Sequence, residues 1–195
     1  MTTFNVAPFM PAPLTPLLQT AAERLLAGDL VLLPGDTVWE VACRSDDPVA
    51  RIRQARLCPD DLTELLYADT QALRGHRPRL HPRLDTLLHV HRRPLGVIDP
   101  KHDVDVFSGK PTIVRVAHRP YLRQLLLALG GRPLSVVPAR PLGNLPPPLG
   151  FGAVRSDLFA GVDHVVLLRQ RDYLAQRPHP HVTLDENGEL HFLRD

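Results

Sequence analysis

The sequence has little cysteine and no long apolar run, and each shortage excludes a class of protein. Among its 195 residues there are only two cysteines, Cys43 and Cys58, so a disulfide framework is excluded and a reducing compartment is indicated. The opening Met-Thr-Thr-Phe-Asn-Val has neither the basic nor the apolar segment of a secretory signal. No apolar run is long enough to span a bilayer. We therefore expect a cytoplasmic protein with no membrane contact.

Several standard catalytic motifs are also missing. The sequence contains no Walker loop, no Gly-x-Gly-x-x-Gly, no His-Glu-x-x-His and no cysteine pair with metal-binding spacing. The net charge of +2 is too small to predict nucleic-acid binding. No local motif indicates a serine nucleophile with its base.

The composition is that of an ordinary globular domain that is rich in proline. Hydrophobic residues make up 44% and charged residues 23% of the chain, which is typical of such domains. Most of the 21 prolines lie between periodic segments, so we expect many stiff loops. Residues 1–13 are proline-rich and predict an N-terminal arm, which is followed by a single domain over residues 14–195.

Residues 29–42 contain a predicted strand and turn on which the functional interpretation of the chain depends. Four apolar residues at 30–33 are followed at once by Pro34-Gly35-Asp36, which predicts a strand buried on both faces and then a turn. Thr37 follows in this turn, at a strand end where α/β proteins often place ligand contacts. Its hydroxyl can donate and accept hydrogen bonds. The alternative is a polar turn that binds nothing.

Helical and strand patterns alternate along the chain. Helices are predicted from Pro16, from Pro48, around Leu84, over residues 120–129 and near residues 156–159. Strands are predicted over residues 95–98, 112–116, 134–137 and 162–168, with a hairpin at Asn187-Gly188. Residues 62–68 suit a strand or a helix. The alternation predicts an α/β or α+β protein, in which helices pack on a sheet.

The helix that begins at Pro48 is amphipathic in this interpretation. Its apolar residues Val49, Ile52 and Ala55 are predicted to lie on one face. Its arginines are predicted to project from it: Arg51, Arg53 and Arg56.

Residues 74–93 form a basic, histidine-rich block. It contains six arginines and four histidines against the single acid Asp85. Such a block is typical of a solvated helix face, and the alternative is a surface that binds phosphate or RNA.

Two pairs of histidines lie two residues apart, His89 with His91 and His179 with His181. On a strand this spacing places both imidazoles on one face, where they could hold a metal. We interpret His179-Pro180-His181 as a solvated loop, and the sequence assigns no metal site.

Short motifs along the chain then allow a comparison with a known family. Residues 34–41 read Pro-Gly-Asp-Thr-Val-Trp-Glu-Val, the next helix ends in Gln-Ala-Arg at 54–56, and residues 112–117 with 120–131 form a strand and a leucine-rich helix. A turn at 138–143, a strand at 162–167 and a strand pair at 182–194 follow in order. This series resembles the YrdC-like family, the threonylcarbamoyl-adenylate synthases, over about nine tenths of the chain, with eroded polar motifs.

The resemblance implies a twisted mixed sheet with a wide, basic concave face. It also implies a nucleotidyltransferase that joins ATP, bicarbonate and threonine into threonylcarbamoyl-AMP for tRNA modification and releases pyrophosphate. Mg²⁺ would accompany the triphosphate. Some relatives bind double-stranded RNA, which adds RNA to the expected partners.

The resemblance also implies binding residues. Thr37 and Arg115 would bind threonine, with Arg115 holding its carboxylate. Arg56 would pair with phosphate. The remaining positions on the nucleotide side would be Gln54, Thr112 and Arg140. Each has a structural alternative, such as a turn hydroxyl or a surface ion pair.

Departures from the family motif predict a degenerate active site. Gln54 stands where the family has lysine, Glu40 where it has glycine, and Pro138 where it has serine, while Asp60 and Asp61 add negative charge near the expected phosphate site. Arg140, at the family's asparagine, is expected to replace the lost lysine charge.

Three hypotheses follow for the function. The first is a working synthase with a rearranged pocket. The second is a catalytically weakened relative that binds nucleotide or RNA. The third is an interaction module that retains only the scaffold.

Overall fold

The computed structural model describes residues 15–98, 104–107, 109–140, 146–171 and 178–194. Within these residues the chain forms six α-helices and nine β-strands. The helices are α1 (Pro16–Leu26), α2 (Pro48–Leu57), α3 (Thr70–His76), α4 (Pro82–Val90), α5 (Pro120–Ala128) and α6 (Ser156–Gly161). The strands are β1 (Val31–Pro34), β2 (Trp39–Arg44), β3 (Glu64–Tyr67), β4 (Gly96–Ile98), β5 (Ile113–Val116), β6 (Leu134–Pro138), β7 (His164–Val165), β8 (His181–Leu184) and β9 (Leu190–Arg194).

The nine strands form one mixed sheet in the order β7-β1-β2-β6-β3-β5-β4-β8-β9. Three neighbouring pairs are parallel, β1 with β7, β3 with β5 and β4 with β8, and the remaining pairs are antiparallel. The predicted class, a mixed sheet with packed helices, is confirmed. β3 also resolves the ambiguity of residues 62–68 in favour of a strand.

Apolar residues of β1 alternate between two hydrophobic cores. Val31 and Leu33 pack with Leu25 of α1 and Leu122 of α5, whereas Leu32 lies in a second core on the opposite face. A strand covered on both faces needs apolar residues at every position, which explains the unbroken run that predicts it.

β2 has no counterpart among the predicted strands. It pairs with β1 through the short turn at residues 35–38 and on its other side with β6. Its side chains are buried on both faces, including Glu40, so the alternation of apolar and polar residues that marks a half-buried strand is absent.

The apolar face predicted for α2 is not the face that is buried. Val49 and Ile52 are 68% and 42% exposed, and the buried residues are instead Ala50, Arg51 and Gln54. Arg51 and Gln54 face polar groups of the interior strands β2 and β6, namely the Ser135 side chain and the backbone of Val41 and Ser135, whereas Val49 and Ile52 face solvent. The start of the helix is as predicted, because the Asp47 side chain accepts hydrogen bonds from the backbone N–H groups of Val49 and Ala50.

Other differences concern lengths and ends. β7 is shorter than the strand predicted over residues 162–168, and α3 lies in a stretch with no predicted helix. The predicted arm at residues 1–13 lies outside the described residues, as do residues 141–143 of the predicted turn at 138–143. Among the described helices, none has both the length and the apolar character needed to cross a membrane.

Candidate functional site

A fully buried arginine lies at the centre of the candidate site. Arg115, on β5, has no exposed surface. Its Nη1 lies 2.9 Å from Asp36 Oδ2, its Nη2 lies 2.7 Å from Glu40 Oε1, and its Nε lies 2.9 Å from Glu64 Oε2. All three nitrogens of the guanidinium group therefore face carboxylates of the chain itself.

The turn between β1 and β2 positions the first of these carboxylates. Asp36 accepts hydrogen bonds from the backbone N–H groups of His118 and Arg119 at the start of α5. The Tyr121 hydroxyl lies 2.8 Å from the carbonyl oxygen of Pro34 and 2.9 Å from that of Gly35. These contacts fix the turn against α5 and direct Asp36 toward Arg115.

Glu40 is buried beneath the same turn. A Cβ atom at Gly35 would overlap the Glu40 carboxyl group, so only glycine leaves room for it. Burial raises the pKa of Glu40 to about 8, and the repulsion from Glu64 and Asp36 adds to this, whereas Arg115 opposes it. Glu40 is therefore held protonated at neutral pH more often than an ordinary carboxyl group.

Glu64, on β3, joins Arg115 to two buried histidines. Its Oε2 lies 3.1 Å from His179 Nε2 and its Oε1 lies 3.3 Å from His181 Nε2. On the other edge of the His179 ring, Nδ1 lies 3.0 Å from the Thr37 hydroxyl. Burial would raise the pKa of Glu64, but His179 and Arg115 hold it well below its usual range. Burial lowers the pKa of His179.

The cluster carries more negative than positive charge. Three carboxyl groups face one guanidinium group, so one negative charge is left over when Glu40 is protonated and two are left over when it is ionised. Inside a protein such an excess is costly, because the low dielectric neither screens nor solvates it. The site therefore favours protons or an additional cation, and it disfavours an additional anion.

A cavity of about 210 Å³ opens beside the cluster. Glu64 and His181 form one part of its wall, and Arg140 lies in another. The Nε atom of Arg140 lies 2.9 Å from Asp61 Oδ1, and Asp60 also lines the cavity. The cavity thus has three carboxylates, one of which pairs with its arginine.

A second cavity, of about 150 Å³, lies next to α2. Gln54 lines it, and its amide nitrogen donates to the carbonyl oxygens of Val41 and Ser135 at 2.8 and 3.0 Å. The amide oxygen of Gln54 accepts from the Ser135 hydroxyl at 2.6 Å. Arg51 pairs with Asp105 at 2.5 Å. Gln54 and Arg51, two of the polar residues that line this cavity, are therefore already engaged in contacts within the protein.

The predicted site residues are only partly brought together. Thr37 and Arg115 meet in the cluster through His179 and Glu64, and Arg140 reaches the cavity that Glu64 lines. Gln54 lines the second cavity. Arg56 lies on the exposed side of α2, and Thr112 is buried directly before β5.

The histidines are the residues that sequence reasoning missed. The interpretation of residues 179–181 as a solvated loop is wrong, since His179 and His181 are 3% and 8% exposed. His89 and His91 do not share a strand, because the first lies in α4 and the second caps it. The two-residue spacing was the available signal, but only the pairing of β8 with β4 places His181 near Glu64.

Comparisons with known proteins agree with this architecture. The Sua5/YciO/YrdC family model, described as "Telomere recombination", matches residues 23–175. No curated protein sequence matches the chain.

Solved structures of three relatives share the fold. Sua5 of P. abyssi is 19% identical with a TM-score of 0.74, over 91% of this chain and 52% of its own. The structure of P. abyssi Sua5 complexed with L-threonine is 18% identical with a TM-score of 0.66, and the match covers 91% of this chain and 53% of Sua5. YciO of E. coli is 21% identical with a TM-score of 0.72, over 94% and 91%. Full-length HypF in a phosphate- and nucleotide-bound form is 15% identical with a TM-score of 0.70, and the match covers 94% of this chain and 24% of HypF.

The extent of these matches differs between the relatives. The chain spans about half the length of Sua5 and about nine tenths of YciO. At these identities the structures show a shared fold, a large twisted mixed sheet with packed helices. The family model covers well over half of the sequence, and the chain therefore belongs to the Sua5/YciO/YrdC family.

Proposed function

We propose that this chain is a YrdC-like ligand-binding protein without the ordinary threonylcarbamoyl-AMP synthase reaction, and that its cavity takes a ligand with a positively charged group. The observation that carries the proposal is the state of Arg115. This arginine is the residue that the family resemblance assigns to the threonine carboxylate, and it is fully buried among three carboxylates.

An anionic ligand would have to displace one of these internal partners. Exchanging a buried carboxylate for that of a substrate would leave the displaced group charged and unpaired, which costs about 3–5 kcal/mol for buried pairs. The surplus of negative charge around Arg115 would also repel the incoming anion. The carboxylate of threonine is therefore a poor match for this arginine.

The residues predicted to bind phosphate also offer little positive charge to an anionic ligand. Gln54 carries no charge, and its amide group is already hydrogen-bonded to β2 and β6. Arg56 lies outside both cavities described above. Arg140 is the remaining predicted cation, and it faces Asp61 and Asp60.

Structures of two relatives contain bound ligands. A HypF structure holds phosphate and nucleotide, and a Sua5 structure holds L-threonine. We infer that the present chain retains the scaffold of such pockets but has reversed the charge at the centre. The triphosphate of ATP, the expected substrate of an active enzyme with Mg²⁺, would meet Arg140 and three carboxyl groups among the residues that line the 210 Å³ cavity.

Pyrophosphate release tests the proposal. The full chain is incubated with Mg·ATP, bicarbonate and L-threonine, next to a protein that is active in this reaction. We expect no pyrophosphate above a blank without threonine, and no heat when Mg·ATP is titrated into the chain. Pyrophosphate release that requires all three substrates would overturn the proposal.

RNA binding is a second candidate with narrower support. Arg79, Arg92 and Arg93 are exposed in the basic block, but Arg74 pairs with Asp85 at 3.0 Å. A titration of labelled RNA duplex at low and moderate salt tests this candidate, since contacts to phosphate weaken steeply as salt rises. Binding that is absent or insensitive to salt would exclude it.

A further inference from the structure

Three side chains of the buried cluster point ligand atoms at one small region. Glu64, His179 and His181 each offer one carboxylate oxygen or imidazole nitrogen, and these atoms all lie within 4.8 Å of one another. All three residues are buried. They come from β3 and from the segment that enters β8, so the sheet and not a local motif brings them together.

The distances between these atoms suit a common metal ion. With bonds of about 2.0–2.2 Å to nitrogen and oxygen, two ligands of one tetrahedral zinc ion lie roughly 3.3 Å apart. The Nε2 atoms of His179 and His181 lie 3.1 and 3.3 Å from the two oxygens of Glu64. The carboxylate thus spans the gap between the rings, and Oε1 is the better placed ligand oxygen because Oε2 also faces Arg115 Nε at 2.9 Å.

A hydroxyl group orients one of the rings. His179 Nδ1 lies 3.0 Å from Thr37 Oγ1. When Nε2 binds a metal, Nδ1 carries the proton and donates it to the Thr37 oxygen, a contact that fixes the tautomer and the ring plane of a metal ligand. In the metal-free protein the same hydroxyl can donate to Nδ1 instead, which leaves Nε2–H to donate to Glu64.

Room has been left for the other ring. A Cβ atom at Gly96 would overlap Ile113 and crowd the His181 imidazole. Gly96 pairs with His181 in the β4–β8 ladder, so the absence of a side chain there allows the imidazole to lie across the strand toward Glu64.

The excess negative charge of the cluster also favours the binding of a cation. Three carboxyl groups face the single guanidinium group of Arg115, so the cluster keeps an excess of negative charge even when Glu40 holds a proton, and this excess attracts a cation. Two imidazoles and a carboxylate suit zinc and related transition metals better than Mg²⁺ or Ca²⁺, which prefer oxygen ligands.

We propose that Glu64, His179 and His181 form a binding site for a divalent transition metal such as zinc, with an open coordination position toward the 210 Å³ cavity. The proposal deepens the proposed function, on which it rests, by naming the positive group that the cavity takes. Three protein ligands with an open position are typical of zinc ions that bind a further ligand or water. Arg140 and Asp61 would face that ligand across the cavity.

Zinc binding to the full chain tests the site. Protein treated with a chelator is titrated with Zn²⁺ against a competing chelator, and bound metal is counted by elemental analysis after dialysis. We expect one zinc ion per chain, and a visible absorption band typical of low coordination when Co²⁺ replaces Zn²⁺. Wild-type protein that binds neither metal under these conditions would overturn the proposal.

A matched pair of variants locates the metal. His181→Ala removes a proposed ligand, whereas His191→Ala removes an exposed imidazole that lies 3.3 Å from Asp185. We expect at least a 100-fold loss of zinc affinity in His181→Ala and none in His191→Ala. Equal affinities in the two variants would place the metal elsewhere and overturn the site.

A milder variant covers the case in which His181→Ala does not fold, as judged by circular dichroism. Thr37→Val keeps the shape of the side chain and removes the hydroxyl group that orients His179, and we expect a 10–100-fold loss of zinc affinity. Unchanged affinity in this variant would contradict the proposed geometry. Pyrophosphate release would refute the proposed function whatever zinc does, while absent zinc binding without pyrophosphate release would refute the metal site alone.

Discussion

Burial raises the pKa of the Glu40 carboxyl group. The groups that face its carboxyl are Arg115, Glu64 and Asp36. One guanidinium group cannot balance three ionised carboxylates, so a proton on Glu40 relieves the repulsion. The stability of the protein should therefore respond to pH through this residue.

Glu40→Gln tests that response. Because burial raises the pKa of Glu40 from 4.5 to about 8, the folded protein retains a proton in this interval that the unfolded chain releases. The free energy of unfolding contributed by Glu40 is present in full below pH 4.5 and is lost as pH rises toward 8. Relative to the variant, the wild-type protein should thus lose on the order of a few kcal/mol across this window.

Urea denaturation at several pH values, in the presence of a chelator, measures the difference. Glu189→Gln, at an exposed residue, serves as the control and should follow the wild-type profile. Parallel profiles for wild type and Glu40→Gln would show that Glu40 titrates normally.

At the scale of elements, α2 presents its polar side to the sheet. Gln54 uses its amide oxygen and nitrogen in contacts to β2 and β6, while Arg56, two residues later, is exposed. The pair thus offers a direct comparison of a buried and an exposed polar residue on one helix.

Gln54→Ala and Arg56→Ala should differ in stability. Removal of Gln54 leaves the carbonyl oxygens of Val41 and Ser135 without their donor in the interior, which should cost about 2–4 kcal/mol. Arg56→Ala should change the free energy of unfolding by less than about 0.5 kcal/mol. Thermal and urea denaturation measure both, and a similar cost for the two variants would contradict the role assigned to Gln54.

The elements that the sequence predicts well are those with one dominant physical signal. α1 and α5 show an apolar stripe with proline at the first turn, and β1 shows an unbroken apolar run. β2 and the inner face of α2 carry Glu40, Arg51 and Gln54 inside the protein. Polar residues inside are stable only because partners from distant strands meet them, and no local pattern contains that information.

The candidate site also depends on contacts between residues that are distant in the sequence. The family resemblance selects Thr37 and Arg115, and the structure places both in the buried cluster, while their predicted roles in binding threonine stay predictions. The contact of Glu64 with His179 and His181 was not predictable, because Glu64 lies more than a hundred residues before the two histidines and only the sheet order brings them together. The neutralisation of Arg115 could be anticipated in part from Glu40, which stands at a glycine of the family motif.

At the scale of the whole molecule, the proline-rich sequence of residues 1–13 predicts an arm that precedes the folded part of the chain. We therefore expect residues 14–195 to fold as one domain. Deletion of residues 1–13 should change the free energy of unfolding by less than about 0.5 kcal/mol, as measured by urea denaturation. A loss of several kcal/mol would show that the N-terminal segment belongs to the domain.

The central claim is that this member of the family uses Arg115 as an internal counter-ion for Asp36, Glu40 and Glu64 and not as a receptor for substrate. The measurement that tests it most directly is the free energy of unfolding of Arg115→Ala, with Arg132→Ala, which removes an exposed pair with Asp46, as control. We predict a loss of about 3–5 kcal/mol for Arg115→Ala and less than about 1 kcal/mol for Arg132→Ala. An Arg115→Ala protein as stable as the control would contradict the account and return Arg115 to the role of a ligand-binding residue.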